Sequence, residues 1–263
     1  MCRLFGCRSL EPSGVAHELL HASNALRVQS KEHPDGWGVG WYENGAPRVV
    51  RSLTPAHGDA EFERVSSFVH AETVVAHVRQ ASVGRVSAPN THPFQWGPWL
   101  FVHNGTVPEF ARLRGPLETL TDPAFRKLAQ GETDSERCFH LFLTELGRLG
   151  DPERATAHAA AVALARTVRN VHELSRGAER PASTTFLATD GRILAACRRG
   201  RTLHLAATAP NASEQRDFVA LASENPGDPP PGGRSGWTLL EEDALVTVDA
   251  SLRLRVGALS ADA

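Results

Sequence analysis

Hydrophobic positions along the chain follow two spacings, one of three to four residues that marks helices and one of two that marks strands. Leu4 to Ser9 reads as a short strand, and a helical pattern follows across Val15–Val28. Gly36–Tyr42 and Arg48–Leu53 flank Asn44-Gly45, a pair suited to the positive φ angles of a tight hairpin turn. Asp59–Val69 is helical in pattern. Thr73–Arg79 is apolar on both faces through Val74, Val75, Ala76 and Val78, which predicts a central strand, and Leu100–Asn104 predicts another. Thr133 and Glu136 have capping-box spacing and open a helix that carries Phe139, Phe142, Leu143 and Leu146. A second long helix spans about Glu153–Leu174, with Ala161, Leu164, Val168 and Val171 on one face.

Short strands follow at Thr184–Ala188, Ile193–Arg198, Leu203–Ala207, Phe218–Ser223, Leu245–Asp249 and Leu252–Val256. The last alternates Leu252, Leu254 and Val256 with Arg253 and Arg255, as a half-buried strand does. Asn225–Gly236, rich in Pro and Gly, reads as a surface loop. Strands at both ends with two long helices between them indicate an α+β fold rather than a parallel doubly wound sheet.

Composition narrows the function. The 263 residues carry 28 basic and 30 acidic side chains, a balance without the footprint of a nucleic-acid or anionic-membrane partner. No stretch approaches the roughly 18 apolar residues of a spanning helix, and the first residues lack a signal-peptide pattern. Cys2, Cys7, Cys138 and Cys197 form no CxxC pair, which suggests free thiols and a cytoplasmic location.

Four places could carry chemistry. Cys2 follows the initiator methionine, so removal of Met1 would set an α-amine of pKa about 7.7–8.0 beside its own thiol. A buried structural cysteine is the plainer reading. Cys7 should lie on the opposite strand face, which argues against a Cys2–Cys7 pair. Asn104 and Gly105 end a buried-type strand and could together form an oxyanion hole, or an ordinary Asn-Gly turn. Arg79 closes the other apolar strand and could hold a substrate carboxylate or a structural salt bridge. Asp134 at a helix start could hold an ammonium group or complement the helix dipole. His77, His92 and His103 raise a metal alternative, but no HExxH, HxH or Cys/His spacing supports it. Asp35-Gly36-Trp37-Gly38-Val39-Gly40 lacks the spacing of a nucleotide-binding loop.

The order of the motifs is more specific than any one of them. Met1-Cys2-Arg3-Leu4-Phe5-Gly6, Asp35-Gly36-Trp37-Gly38, Ala76-His77-Val78-Arg79, Asn90-Thr91-His92-Pro93-Phe94, His103-Asn104-Gly105 and Gly131-Glu132-Thr133-Asp134-Ser135-Glu136 succeed one another as in class II glutamine amidotransferases. The chain resembles that family strongly over residues 2–140, and more faintly at Ser223-Glu224 and the last hairpin. The resemblance implies an N-terminal nucleophile hydrolase fold, a four-layer αββα arrangement with two stacked antiparallel sheets, taken as one domain over residues 2–263. It implies hydrolysis of a γ-glutamyl amide, with Cys2 as nucleophile and its freed amine as proton shuttle. Asn104 and Gly105 would stabilise the oxyanion. Arg79 would bind the glutamyl carboxylate, Asp134 its ammonium, and Ser82 and His92 would complete the substrate site. It implies no cofactor and no metal.

Two departures bear on the leaving group. Gln80 and Val83 stand where better-known members carry Trp and His, and His33-Pro34-Asp35-Gly36 replaces an Arg-Gly pair. The substrate expected is glutamine or a γ-glutamyl conjugate, such as hercynylcysteine sulfoxide or a glutathione-derived peptide. A separate synthetase subunit receiving ammonia is the partner to consider. The alternative is a non-catalytic γ-glutamyl-binding or scaffold subunit of a synthetase complex.

Overall fold

A computed structural model describes residues 2–228 and 236–259. Its strands are β1 (Arg3–Gly14), β2 (Trp37–Glu43), β3 (Ala46–Ser52), β4 (His70–Val78), β5 (Phe94–Trp96), β6 (Trp99–Thr106), β7 (Ser183–Thr189), β8 (Leu194–Cys197), β9 (His204–Ala207), β10 (Phe218–Ala222), β11 (Thr238–Leu239), β12 (Ala244–Val248) and β13 (Leu254–Ala258). Its α-helices are α1 (Leu26–Gln29), α2 (Ala60–Phe68), α3 (Phe110–Leu120), α4 (Pro123–Arg126), α5 (Asp134–Leu149) and α6 (Ala157–Leu174). One sheet runs β11-β9-β10-β1-β4-β2-β3 and the other β13-β12-β8-β7-β6-β5. All of these strand pairings are antiparallel.

Three apolar layers hold the stack. Phe62 and Val65 of α2 pack on Phe5, Cys7, Val74 and Ala76 of the first sheet. Leu4, Val75, Leu100, Val102, Leu187 and Val219 fill the space between the sheets. Phe139 and Phe142 of α5 and Leu164 and Val168 of α6 cover Trp99, Phe101 and Phe186 of the second sheet. The order is therefore helix, sheet, sheet, helix. The period-two alternation of strands assigns each face. Leu4 and Gly6 look between the sheets, and a Cβ on Gly6 would come within 2.5 Å of Leu187. Phe5 and Cys7 look outward to α2. Continued by one step, this alternation turns Cys2 inward, and on β6 it turns Asn104 inward with Leu100 and Val102.

Most expected elements are present. Asn44 and Gly45 adopt φ of 52° and 77° in the β2–β3 turn. Strand β4 is central, between β1 and β2. Asp59 caps α2 by accepting from Glu61 N at 2.8 Å. Thr133 caps α5 by accepting from Glu136 N at 3.2 Å. The capping box is only half formed, because the Glu136 carboxylate turns to Gln130 N and Gly131 N at 2.8 and 2.9 Å.

Three expectations need correction, and a fourth lies largely outside the described residues. Val15–Val28 is not one helix but a π-helical turn, His17–His21, followed by α1. The break occurs where Ser23 N donates to Asp228 at 3.0 Å and Asn24 N donates to the Pro226 carbonyl at 2.7 Å. The long second helix begins at Ala157 rather than near Glu153, because Thr156 caps it through Ala159 N and Pro152–Arg154 forms a separate 3-10 turn. Leu252 precedes β13 in the left-handed region at φ 56°, and Val256 is 50% exposed. As an edge strand paired only with β12, β13 has no burying face for it. Of the expected Asn225–Gly236 loop, residues 229–235 lie outside the described residues, while Asn225, Pro226 and Asp228 hold the turn at Ser23 and Asn24. Helix α3 and strand β5 had no sequence-level expectation.

Candidate active site

The antiparallel register of β1 and β4 pairs Arg3 with Val78, so Cys2 and Arg79 come next to each other where the two strands run out. The Cys2 thiol is half-buried and lies 3.5 Å from the Gln80 carbonyl, to which it donates. Burial pushes the thiol above its ordinary pKa. The Gln80 hydrogen bond and the Arg79 charge act to lower it, and Asp134 acts to raise it. The resting group is therefore a thiol that needs a base.

Arg79 is buried, and its guanidinium donates to three backbone carbonyls: Arg85 at 3.1 Å from Nη1, and Val83 and Gly84 at 3.1 Å each from Nη2. Its hydrogen-bond partners among the described residues are thus loop carbonyls rather than a carboxylate, which excludes the structural salt bridge considered above. Burial lowers its pKa, and Cys2, Asp35 and Asp134 act in the opposite direction. Asp35 also fixes the turn after Arg79 by accepting from Ala81 N at 2.7 Å.

Asn104 comes from the second sheet. It is 1% exposed, and its Oδ1 has no hydrogen-bond partner among the described residues. A buried amide oxygen left unpaired costs about 1–3 kcal/mol, a penalty that marks a site rather than a turn. Gly105 is obligatory in this backbone, since a Cβ there would come 2.0 Å from the Ser183 carbonyl and 2.3 Å from His103 Nε2. Both residues lie inside β6, not in an Asn-Gly turn. Thr106 Oγ1 lies 3.3 Å from Ser82 Oγ, which joins the loop after β4 to the end of β6.

Asp134 is buried at the first position of α5. Its Oδ2 accepts from Val107 N at 2.7 Å and its Oδ1 from Ser135 N at 2.8 Å. These bonds tie the carboxylate to the segment that follows β6 and leave lone pairs free, since a carboxylate has about four acceptor positions. Cys2, Arg79, Ser82, Asn104, Gly105 and Asp134 are thus drawn toward one end of the inter-sheet space.

His92, expected to touch substrate, is instead packed behind that group. It is 3% exposed, with its ring 4.1 Å from His77 and 4.5 Å from Phe94, and neither ring nitrogen has a partner among the described residues. Burial pushes it well below the ordinary imidazole pKa. His77 Nε2 donates to the His103 carbonyl at 3.2 Å, and burial pushes His77 down to about 3. Among the described residues no group of three or more His, Cys, Asp or Glu could hold a metal ion. No helix there is long and apolar enough to cross a membrane.

The sequence marked Gln80 and His33 as departures that bear on the leaving group and Glu224 as a faint part of the resemblance, but did not join them with Arg3 in one feature. Arg3 donates to the Cys2 carbonyl at 3.2 Å and pairs with Glu224 at 3.5 Å. Gln80 accepts from Cys2, and its side chain acts to raise the His33 pKa. Burial is the main cause that pushes His33 down to about 4, and the Arg3 charge adds to it.

Comparison with known proteins decides what this arrangement belongs to. The family model described as "Glutamine amidotransferases class-II" matches residues 1–216. The chain belongs to the class II glutamine amidotransferases. This amidotransferase is 31% identical over 260 residues to a gamma-glutamyl-hercynylcysteine sulfoxide hydrolase of Mycobacterium tuberculosis, covering 94% of this chain and 93% of that one. It is 26% identical over 296 residues to a probable glutamine amidotransferase of Saccharomyces cerevisiae, covering 94% and 82%. A class-II domain structure from Silicibacter pomeroyi superposes with a TM-score of 0.67 at 23% identity, over 98% of this chain and all of that one. The phosphoribosylpyrophosphate amidotransferase of Bacillus subtilis superposes with a TM-score of 0.62 at 15% identity, over 99% of this chain and 50% of that one. Its fold is the N-terminal nucleophile hydrolase fold, and the amidotransferase is an enzyme of the amidohydrolase type.

Proposed function

We propose that this amidotransferase hydrolyses the amide bond of a γ-glutamyl compound through a thioester on Cys2. The observation that carries this reading is a half-buried thiol within reach of the charges of buried Arg79 and Asp134, with buried Asn104 turned into the inter-sheet space that Cys2 also faces. The name of the Mycobacterium tuberculosis relative supports a γ-glutamyl conjugate as the substrate class.

Removal of Met1, which lies outside the described residues, gives Cys2 a free α-amine. That amine accepts the thiol proton as sulfur bonds to the amide carbonyl carbon. The carbonyl electron pair moves to oxygen, where Asn104 Nδ2 and the Gly105 N–H donate to it. Collapse breaks the C–N bond, and the Cys2 ammonium protonates the departing amine. Water then adds to the thioester and gives its proton to the amine, and the C–S bond breaks to release glutamate and restore the thiol. Arg79 and Asp134 take the glutamyl carboxylate and ammonium, and Ser82 lines the same wall. Residues 2–263 act in this reading as one domain on a small substrate.

Intact mass tests the reading: the active protein should lack Met1, and rapidly acid-quenched turnover should leave a glutamyl adduct on the Cys2 peptide. Full activity in protein that retains Met1 would remove the amine from the mechanism and the mechanism with it.

A further inference from the structure

His103 precedes Asn104 and Gly105 on β6, and three other elements hold it there. Its carbonyl accepts from His77 Nε2 of β4 at 3.2 Å. Its ring Nε2 lies 3.0 Å from the Ser183 carbonyl of β7, and its Nδ1 lies 2.8 Å from Ser135 Oγ of α5. Both ring nitrogens thus have partners among the described residues, which is true of neither His77 nor His92. The ring also lies against Gly105, where a Cβ would come 2.3 Å from Nε2. His103 therefore joins the oxyanion strand to the start of the helix that bears Asp134, while its 0% exposure keeps it from substrate.

The proton positions follow from the partners. A carbonyl oxygen only accepts, so the ring proton sits on Nε2. Burial holds His103 below the ordinary imidazole pKa, which leaves the ring neutral and Nδ1 an acceptor. Ser135 must then donate its hydroxyl proton to Nδ1. Ser135 Oγ also lies 3.4 Å from Asp134 Oδ1, but a hydroxyl has one proton and the shorter contact takes it. Among the described residues, Asp134 Oδ1 then accepts from Ser135 N alone, at 2.8 Å, and a lone pair stays open.

Resting on the hydrolytic reading above, we propose that His103 is a positioning residue. It draws the Ser135 hydroxyl away from Asp134 and so keeps a carboxylate lone pair open for the α-ammonium of the glutamyl group. Without the imidazole, the Ser135 hydroxyl turns to Asp134 Oδ1 and competes with the ammonium there.

The test uses the processed full-length protein with γ-glutamyl-p-nitroanilide and glutaryl-p-nitroanilide, which differ only in the α-amine. The ratio of their kcat/KM values reads the hold of Asp134 on the ammonium, and damage that slows both substrates leaves it unchanged. His103→Leu should cut that ratio by about tenfold, the order of one hydrogen bond to a charged group. Adding Ser135→Ala should restore it, because the competing hydroxyl is gone. A parent-like ratio in His103→Leu, or no recovery in the double variant, would overturn the positioning role while leaving the Cys2 chemistry standing. The imidazole nitrogen shifts of the parent, read by NMR, give a second measure that needs no variant to fold. His103 should carry its proton on Nε2 alone, and a proton on Nδ1 would overturn the proposal. A parent that cleaves neither the γ-glutamyl anilide nor glutamine would instead sink the hydrolytic reading.

Discussion

The two sides of Cys2 are built differently. On the glutamyl side, Arg79, Asn104 and Asp134 are buried, and the backbone holds Arg79 and Asp134 in place through five hydrogen-bonding contacts of 2.7–3.1 Å. On the other side, Arg3 and Glu224 are half-exposed and paired at 3.5 Å, while Lys31 is exposed. The first side is preorganised for one fixed shape, so little ordering remains when substrate binds. The second is a rim of long, mobile side chains, where exposed ion pairs contribute about 0–1 kcal/mol and a substitution changes specificity more than stability.

The comparison can be broken most sharply at Cys2. Cys2→Ala should abolish turnover while leaving the cooperative unfolding transition close to that of the parent, because the residue is half-buried at a strand end. Residual turnover at more than background would place the nucleophile elsewhere. Asn104→Ala should lower kcat by about 10²–10³, the usual worth of one oxyanion donor, with a much smaller change in KM. A change confined to KM would make Asn104 a binding group and blur the two sides.

Gly105→Ala should separate rigidity from chemistry. The added methyl collides with the Ser183 carbonyl, which is backbone and cannot turn aside, so a loss of about 1–3 kcal/mol in unfolding free energy is expected in a urea titration. A stability equal to the parent's would mean that the β6–β7 pair yields easily. The predicted outcome for an equivalent change on the other side, Lys31→Gln, is unfolding within about 0.5 kcal/mol of the parent.

Acid should distinguish the sides more gently. His77 and His33 have folded pKa values of about 3 and about 4, below the ordinary imidazole value of about 6.5. The unfolded chain therefore binds protons below pH 6.5 that the folded chain refuses, and stability must fall as pH drops through that range. The unfolding temperature should stay level from pH 8 to 7 with respect to these groups and decline below about pH 6. His33→Asn should lessen the part of the decline that ends near pH 4, to which His140 and His172 at about 4 also contribute, leaving that of His77 to run on toward pH 3. A His33→Asn profile parallel to the parent's would show that His33 is not held neutral. Thr133→Ala, which removes the cap at the start of α5, should lower stability by about 1 kcal/mol, seen as a shift of roughly 2–4 °C.

Local signals were legible where the chain's own neighbours settle the conformation. Asn44-Gly45 adopts positive φ because those residues tolerate it, and Asp59 and Thr133 cap because a short side-chain oxygen two or three residues away satisfies a helical N–H. The apolar run of β4 on both faces gave a central strand because it must be covered from both sides. Val15–Val28 failed as one helix because Asn225–Asp228, some 200 residues later, hydrogen-bonds Ser23 and Asn24. No local pattern records such a partner.

By itself, then, the sequence determined the strands and capped helices, the family's ordered motifs, and the candidacy of Cys2, Arg79, Asn104 and Asp134. Only tertiary structure decided that Cys2 and Asn104 turn into one inter-sheet space from different sheets, that His92 is packed against His77 rather than open to the site, and that Arg3, Lys31, His33 and Glu224 enclose a cavity. The physical reason is range. Turns, caps and face alternation depend on atoms within a few residues, whereas a site forms where segments far apart in the chain pack together, and its geometry follows from the register and burial of them all.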